Sequence, residues 1–457
     1  VNTSNQQKLK VLLIAEQCNP EWASVPLVAW NYFRELNKFV EITLVTHDRN
    51  QSALEKTPYR NIAYISEGKL ARLYYTFVEK FLTFVFRGKM NWPVYHLLTY
   101  PNYAEFNRKV YQQFKDEILS GEYDVVHALT PMMPRYPVKA IRACKKTPFL
   151  IGPVNGGVPF PKGFQAKARE EFAHFNFLRA LGRFLIPGYV ETYKKATKIL
   201  VGSSYTLEML KNLFQLPDQK LELFYENGIP KSFLTASSQP TKQERINLIF
   251  VGRLVPYKCA DVVIEAIGKL NKTLQSQIKF TIVGDGSEKE KLVARVDALN
   301  LNDIVQFTGW VDHQKTLEYY SQSDIFCFPS IREFGGAVVL EAMACGLPCI
   351  VVNNGGIGEY VTEATGFKIE PLSREYLIEE MAKKIEILVE NQQLRSEMSV
   401  AAVARAQEFE WEAKAKQVAA VYEELATVQQ PQAQPQPRRS MEVLPGVTPP
   451  LPQDQTA

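Results

Sequence analysis

Ile246–Lys258 reads INLIFVGRLVPYK: a strand-length apolar run that stops at Gly252 and is followed at once by two cations, Arg253 and Lys258. A continuous run of branched and aromatic residues closed by glycine is the pattern of a strand buried on both faces, as in the middle of a parallel sheet. Further runs follow at Lys279–Val283, Ile304–Phe307, Ile325–Phe328 and Pro348–Val351, each trailed by helical periodicity. Upstream, Lys10–Ala15, Ile42–Val45, Asp124–His127, Phe149–Ile151 and Ile199–Val201 form an equivalent series. Strands alternating with helices imply parallel sheets, so the fold class is α/β with two doubly wound, Rossmann-like domains.

Size agrees, because 457 residues exceed what one core usually organises, roughly 100 to 200 residues per domain. The boundaries predicted are a first domain over 1–235, a linker over 236–245 (ASSQPTKQER, polar and unpatterned), and a second domain over 246–408. A helical pattern follows within 409–427. The segment 428–457 is rich in Pro and Gln, carries few apolar residues and is expected to be disordered.

Charge is distributed unevenly, with 31 Lys and Arg against 20 Asp and Glu in residues 1–240, and 22 against 29 in the rest. No dense Lys/Arg stripe is visible, so nucleic acid is not an expected partner. The six cysteines have no paired-ligand spacing, and free thiols in a reducing cytoplasm fit them best. No apolar run reaches 18 residues, so a membrane-spanning helix is not expected. Between Lys69 and Lys89, Leu70, Leu73, Tyr74, Phe77, Phe81, Phe84 and Val85 recur at helical spacing among Lys69, Arg72, Lys80, Arg87 and Lys89. Such a stripe either lies on an anionic membrane surface or packs inside the first domain.

Arg332–Ile350 reads REFGGAVVLEAMACGLPCI. Gly335 and Gly336 disfavour one continuous helix, so Glu333 is expected on a loop, with a helix starting near Val338. Backbone N–H groups at such a helix start attract anionic oxygens, and carboxylates beside them orient sugar hydroxyls. Arg253 offers a planar fork to a diphosphate, and Lys258 a mobile point charge.

In this order and spacing, the segments resemble the retaining GT-B glycosyltransferases of the group that includes glycogen synthases, sucrose synthases and bacterial mannosyltransferases, family 4 among them. The likeness covers most of residues 8–425. It implies two domains facing a central cleft, with the 409–427 helix crossing back to an acceptor-binding first domain. It also implies that Arg253 and Lys258 hold the donor diphosphate, Glu333 the sugar and Glu341 the ribose. Gly252, Gly284, Phe334, Gly335, Gly336 and Ala337 join the donor site. Asn227 and Gly228 match the family's turn before the linker, and Gly284 to Gly286 its turn after the second strand. His127, ending a strand in DVVHALT, falls where the family places a histidine facing the reacting sugar. Leu129 stands where a second histidine is frequent, and AEQCNPEW replaces a glycine-rich loop at residues 15–22. Gly156 and Gly157 are acceptor-side candidates, since glycines there allow close approach of a ligand.

The expected activity is transfer of a hexose-type sugar from a nucleotide diphosphate to an acceptor hydroxyl with retention, needing no metal and no other cofactor. The acceptor expected is a lipid-linked saccharide or other glycan in exopolysaccharide, lipopolysaccharide or glycolipid assembly, met in the cytoplasm or at the cytoplasmic membrane face. A sugar-nucleotide epimerase of the same architecture and a non-catalytic nucleotide-sugar sensor are the alternatives.

Overall fold

The computed structural model describes residues 8–86, 91–235 and 244–429. Two parallel sheets form within them. The first contains β1 (Lys10–Ile14), β2 (Glu41–His47), β3 (Ile62–Ile65), β4 (Val125–Ala128), β5 (Phe149–Val154), β6 (Lys198–Val201) and β7 (Leu221–Leu223), in the order β3-β2-β1-β4-β5-β6-β7. The second contains β8 (Ile246–Val251), β9 (Ile278–Val283), β10 (Val305–Gly309), β11 (Ile325–Phe328), β12 (Cys349–Val352) and β13 (Gly366–Ile369), in the order β10-β9-β8-β11-β12-β13. Both orders reverse direction once, between β1 and β4 and between β8 and β11, and a doubly wound sheet opens a ligand crevice at that point.

The period of two along β1 shows why the first sheet is covered on both sides. Leu12 and Ile14 join one core, with the helix Trp92–Ser120, whereas Val11 and Leu13 join another, with the helix Val25–Leu36. That second core is completed by Trp411, Val418, Tyr422 and Leu425 from the last described helix, Trp411–Gln429. The crossing-back helix is therefore part of the first domain's packing.

The sequence pattern placed the domain boundary too late. Ile229 and Phe233 are buried in the core of the second domain, and the chain crosses between domains just before them. There Ile229 N–H donates to Phe409 O (2.8 Å) and Trp411 N–H to Ile229 O (3.2 Å), so both crossings run side by side. Composition turns polar only after 235, while the apolar side chains just before it already belong to the second core, so the composition change falls later than the crossing. Residues 236–243 of the expected linker and 430–457 of the expected tail lie outside the described residues.

The stripe on the helix Lys69–Val85 resolves in one direction. Val78 and Leu82 are buried, but Leu70 and Phe84 are each 84% exposed, and Leu73, Phe77 and Phe81 also face outward. The helix Phe177–Leu185 does the same with Phe177, Leu181, Phe184 and Leu185. Both helices pack beside the first turns of Trp92–Ser120, where Trp92 and Leu97 are exposed too. Contiguous exposed apolar surface of this kind marks an interaction site. No helix among the described residues is long and apolar enough to cross a membrane.

Candidate active site

The carboxyl ends of the central strands meet in one cavity of about 1040 Å³, with walls from both domains. The second domain contributes Arg253, Tyr257, Arg332, Glu333 and Phe334; the first contributes Glu16, His47, Arg49, Thr130 and Glu171. Arg253 and Glu333 therefore share one crevice, as the sequence pattern required.

Each side chain is positioned by its strand. After β8 the chain turns through Gly252, and the exposed Arg253 donates to the Tyr257 hydroxyl (3.0 Å). Lys258 is buried under the same turn, with its ammonium 4.6 Å from the centre of the Phe328 ring. It forms an ion pair with Glu333 Oε2, to which Ser330 Oγ also donates (3.2 Å). Among the described residues no side chain donates to Glu333 Oε1, which leaves an acceptor for a ligand hydroxyl.

Gly336 has φ +56° and directly precedes the helix Ala337–Ala344, so this left-handed residue turns the Glu333 loop into the helix one residue earlier than Val338. Gly335 sits beneath, against Glu226 and Asn227. Glu341, in the second turn, is buried; it accepts from Tyr320 Oη (3.0 Å) and meets His313 Nε2 (2.8 Å). That contact raises the His313 pKa by favouring the imidazolium. Gly284, after β9, approaches the Gly252 carbonyl and so supports the turn that carries Arg253 from behind.

Two first-domain expectations are corrected. His127 does not face the cavity: it is fully buried, with Nε2 2.6 Å from Gly152 O and Nδ1 2.6 Å from Tyr422 Oη. The carbonyl can only accept, so Nε2 carries the hydrogen and Nδ1 accepts from tyrosine. The histidine clasps the crossing-back helix to β4 and β5. Gly156 is also structural, its N–H donating to Thr206 Oγ1 (3.1 Å). Gly157 does not line the cavity itself but a smaller apolar slot that adjoins it.

Burial lowers the His127 pKa to about 4, against 6.5 for the free side chain. The folded state resists the proton that the unfolded chain accepts, so this contribution is complete above about pH 6.5 and is lost as pH falls toward 4. Between pH 7 and 5 the wild type is expected to lose about 2 kcal/mol more stability than His127→Gln, which keeps a donor and an acceptor without titrating. Urea denaturation at the two pH values measures it; parallel losses in both proteins would refute the assignment.

Several contributors escaped the sequence pattern. Glu16, Arg49 and Thr130 follow β1, β2 and β4 and form one polar wall: Arg49 pairs with Glu16, and Glu16 N–H donates to Thr130 Oγ1 (2.8 Å). They stand at strand ends, but AEQCNPEW carries no glycine-rich phosphate pattern that would mark Glu16 in the sequence. Asn155 and Glu226 form a buried clamp, with Asn155 Nδ2 2.8 Å and 3.0 Å from the two Glu226 oxygens and 3.1 Å from Phe334 O. Burial pushes the Glu226 carboxyl up to about 7 and the nearby Lys414 ammonium down to about 7. The clamp ties the donor loop to the first domain.

Comparison with known proteins agrees with this geometry. Residues 234–405 match the family model for glycosyl transferases group 1. An uncharacterized glycosyltransferase of Methanocaldococcus jannaschii is 29% identical over 197 residues, 40% of this chain and 49% of the relative. A D-inositol 3-phosphate glycosyltransferase of Kribbella flavida is 28% identical over 189 residues, 40% of this chain and 44% of the relative. The chain thus spans about half the length of these curated relatives. The Anabaena protein HepE, solved with UDP, superposes with a TM-score of 0.60 at 16% identity, covering 91% of this chain and all of HepE. The polar crevice between two Rossmann-like sheets and the shared architecture give this chain a GT-B fold, and the match to glycosyl transferases group 1 lies in its second domain.

Proposed function

We propose that the protein transfers a sugar from a nucleoside diphosphate to a hydroxyl of a lipid-linked saccharide, retaining the anomeric configuration, at an anionic membrane surface. This reading rests on the cavity in which Arg253 and Glu333, the latter paired with the buried Lys258, face the polar wall of Glu16, Arg49 and Thr130. The likeness to HepE, which was solved with UDP-glucose, favours a nucleotide-sugar donor.

The donor's C1–O bond to phosphate breaks as the acceptor oxygen approaches the same face through an oxocarbenium-like state. The acceptor's proton passes to the departing phosphate oxygen. Arg253 and Lys258 balance the charge that gathers on the diphosphate, so no metal is needed. Glu333 Oε1 accepts from a sugar hydroxyl, and Glu341 from the ribose. Incubation with a panel of nucleotide sugars and a lipid extract, with EDTA present, tests this. A new glycolipid is the expected product; an isomerised donor, or binding without turnover, would overturn it.

The membrane part rests on the outward apolar stripes and on Lys69, Arg72, Lys80 and Arg183 beside them. Basic residues near an anionic surface contribute about 1 kcal/mol each. Sedimentation with phosphatidylglycerol vesicles is expected to show binding that weakens with salt. The Phe77→Ser, Phe84→Ser double variant is expected to bind at least tenfold more weakly, because both rings are exposed and their loss spares the core. Equal binding by both proteins would exclude this face.

A further inference from the structure

A second, narrow cavity of about 70 Å³ lies between the first turns of the helix Trp92–Ser120 and the helix Phe177–Leu185. Leu97, Leu178, Ile186 and Met209 give it an apolar wall. It adjoins the main cavity, and Pro93, His96, Met133, Arg135 and Tyr136 line both. The two spaces differ in character: one holds the charged groups of the active site, and the other opens between helices whose outer faces carry the exposed apolar stripes.

Arg135 stands at the junction. Its guanidinium lies against the Tyr136 ring, 5.2 Å from the centroid, and Nη1 contacts the His96 ring (2.7 Å to Nε2). Its Nε is buried without a hydrogen-bond partner, and no carboxylate pairs with Arg135 among the described residues. A guanidinium without a carboxylate partner that lines two adjoining cavities can receive a phosphate oxygen on the N–H groups that face them. An apolar slot on one side of that cation and a sugar-sized polar cavity on the other match an amphiphile whose phosphate joins a hydrocarbon chain to a saccharide.

We propose that Arg135, held in place by the His96 and Tyr136 rings, binds the phosphate of a lipid-phosphate acceptor. The first chain carbons lie in the slot past Leu97, Leu178 and Ile186, and the remaining chain continues beneath the exposed stripes. This inference deepens the transferase reading above and depends on it for its biological sense. It places the acceptor's saccharide on the Glu16–Arg49 side of the main cavity, facing Glu333.

Farnesyl phosphate, used below its micellar concentration, is a suitable probe, with farnesol and inorganic phosphate as its separate halves. Calorimetry is expected to show farnesyl phosphate binding at least tenfold more tightly than either half. Arg135→Gln is expected to remove that advantage while leaving farnesol binding unchanged. Gly182→Leu fills the slot from a position where an added Cβ meets only Ile186 Cδ1 at 3.6 Å, an ordinary contact, and is expected to weaken farnesyl phosphate and farnesol alike. UDP affinity is expected to stay the same in both variants. Farnesyl phosphate binding no tighter than inorganic phosphate, or unaffected by either substitution, would overturn the site even if UDP binds. Arg135-dependent lipid binding in a protein that fails to bind UDP would instead sink the transferase reading and leave the site standing.

Discussion

Purified Arg253→Ala is expected to fold and melt like the parent protein, yet to turn over at least a hundredfold more slowly. The arginine is exposed and, among the described residues, hydrogen-bonds through its side chain to the Tyr257 hydroxyl and pairs with no carboxylate, so its loss leaves no buried charge behind. Loss of one preorganised donor to a leaving-group oxyanion costs about 2.7 to 4 kcal/mol of transition-state stabilisation. Glu333→Ala should lower turnover as much but behave differently on heating. It removes the partner of the buried Lys258, and breaking such a pair typically costs about 3 to 5 kcal/mol. Initial rates and thermal unfolding of both variants provide the check. The catalytic assignment fails if Arg253→Ala keeps its rate, and the burial argument fails if Glu333→Ala melts with the parent.

Gly284→Val is expected to unfold the second domain under conditions where the parent is stable. Gly284 has φ +143°, and an ideal Cβ there would lie 2.0 Å from the carbonyl oxygen of Gly252, a backbone atom that cannot swing aside. Strain and overlap together should cost at least about 4 kcal/mol, or about 10 °C in Tm. Gly121→Ala is the control. It also has a positive φ, +82°, but nothing within 4 Å of the added carbon, so only the left-handed penalty of about 1 to 2 kcal/mol should appear. Similar losses in both variants would mean that the close approach of the β8 and β9 turns matters little.

Most interior strands were readable because they are apolar runs buried on both faces, and even β9 (IKFTIV), broken by the exposed Lys279, keeps an apolar end. The strands that escaped, β3, β7 and β13, are all sheet edges. There one flank lacks a partner strand and apolar patterning relaxes: β7 is three residues, LEL, with none fully buried. The meeting of Arg253, Lys258 and Glu333 was readable for another reason: they sit within two short segments, and local spacing after two adjacent strands was enough to bring them together, whereas Glu341 is buried against His313 and Tyr320.

His127 shows where that logic stops. Its position at the end of a central strand was legible, but its ring direction depended on Tyr422, almost three hundred residues later, and on the Gly152 carbonyl. The stripe on Lys69–Val85 was equally undecided, since the same periodicity serves a core or a surface. Its outward orientation follows from which two side chains, Val78 and Leu82, found a neighbouring helix.

Sequence alone therefore determined two parallel-sheet domains and the placing of Arg253, Lys258 and Glu333 at one strand-end crevice, because burial on both faces and strand-end chemistry are written in contiguous residues. Tertiary structure alone decided the place of the crossing between domains, the structural role of His127, the polar wall of Glu16, Arg49 and Thr130, and the junction at Arg135. Those features arise from side chains far apart in the chain, whose contacts are fixed only once both sheets and the returning helix have packed.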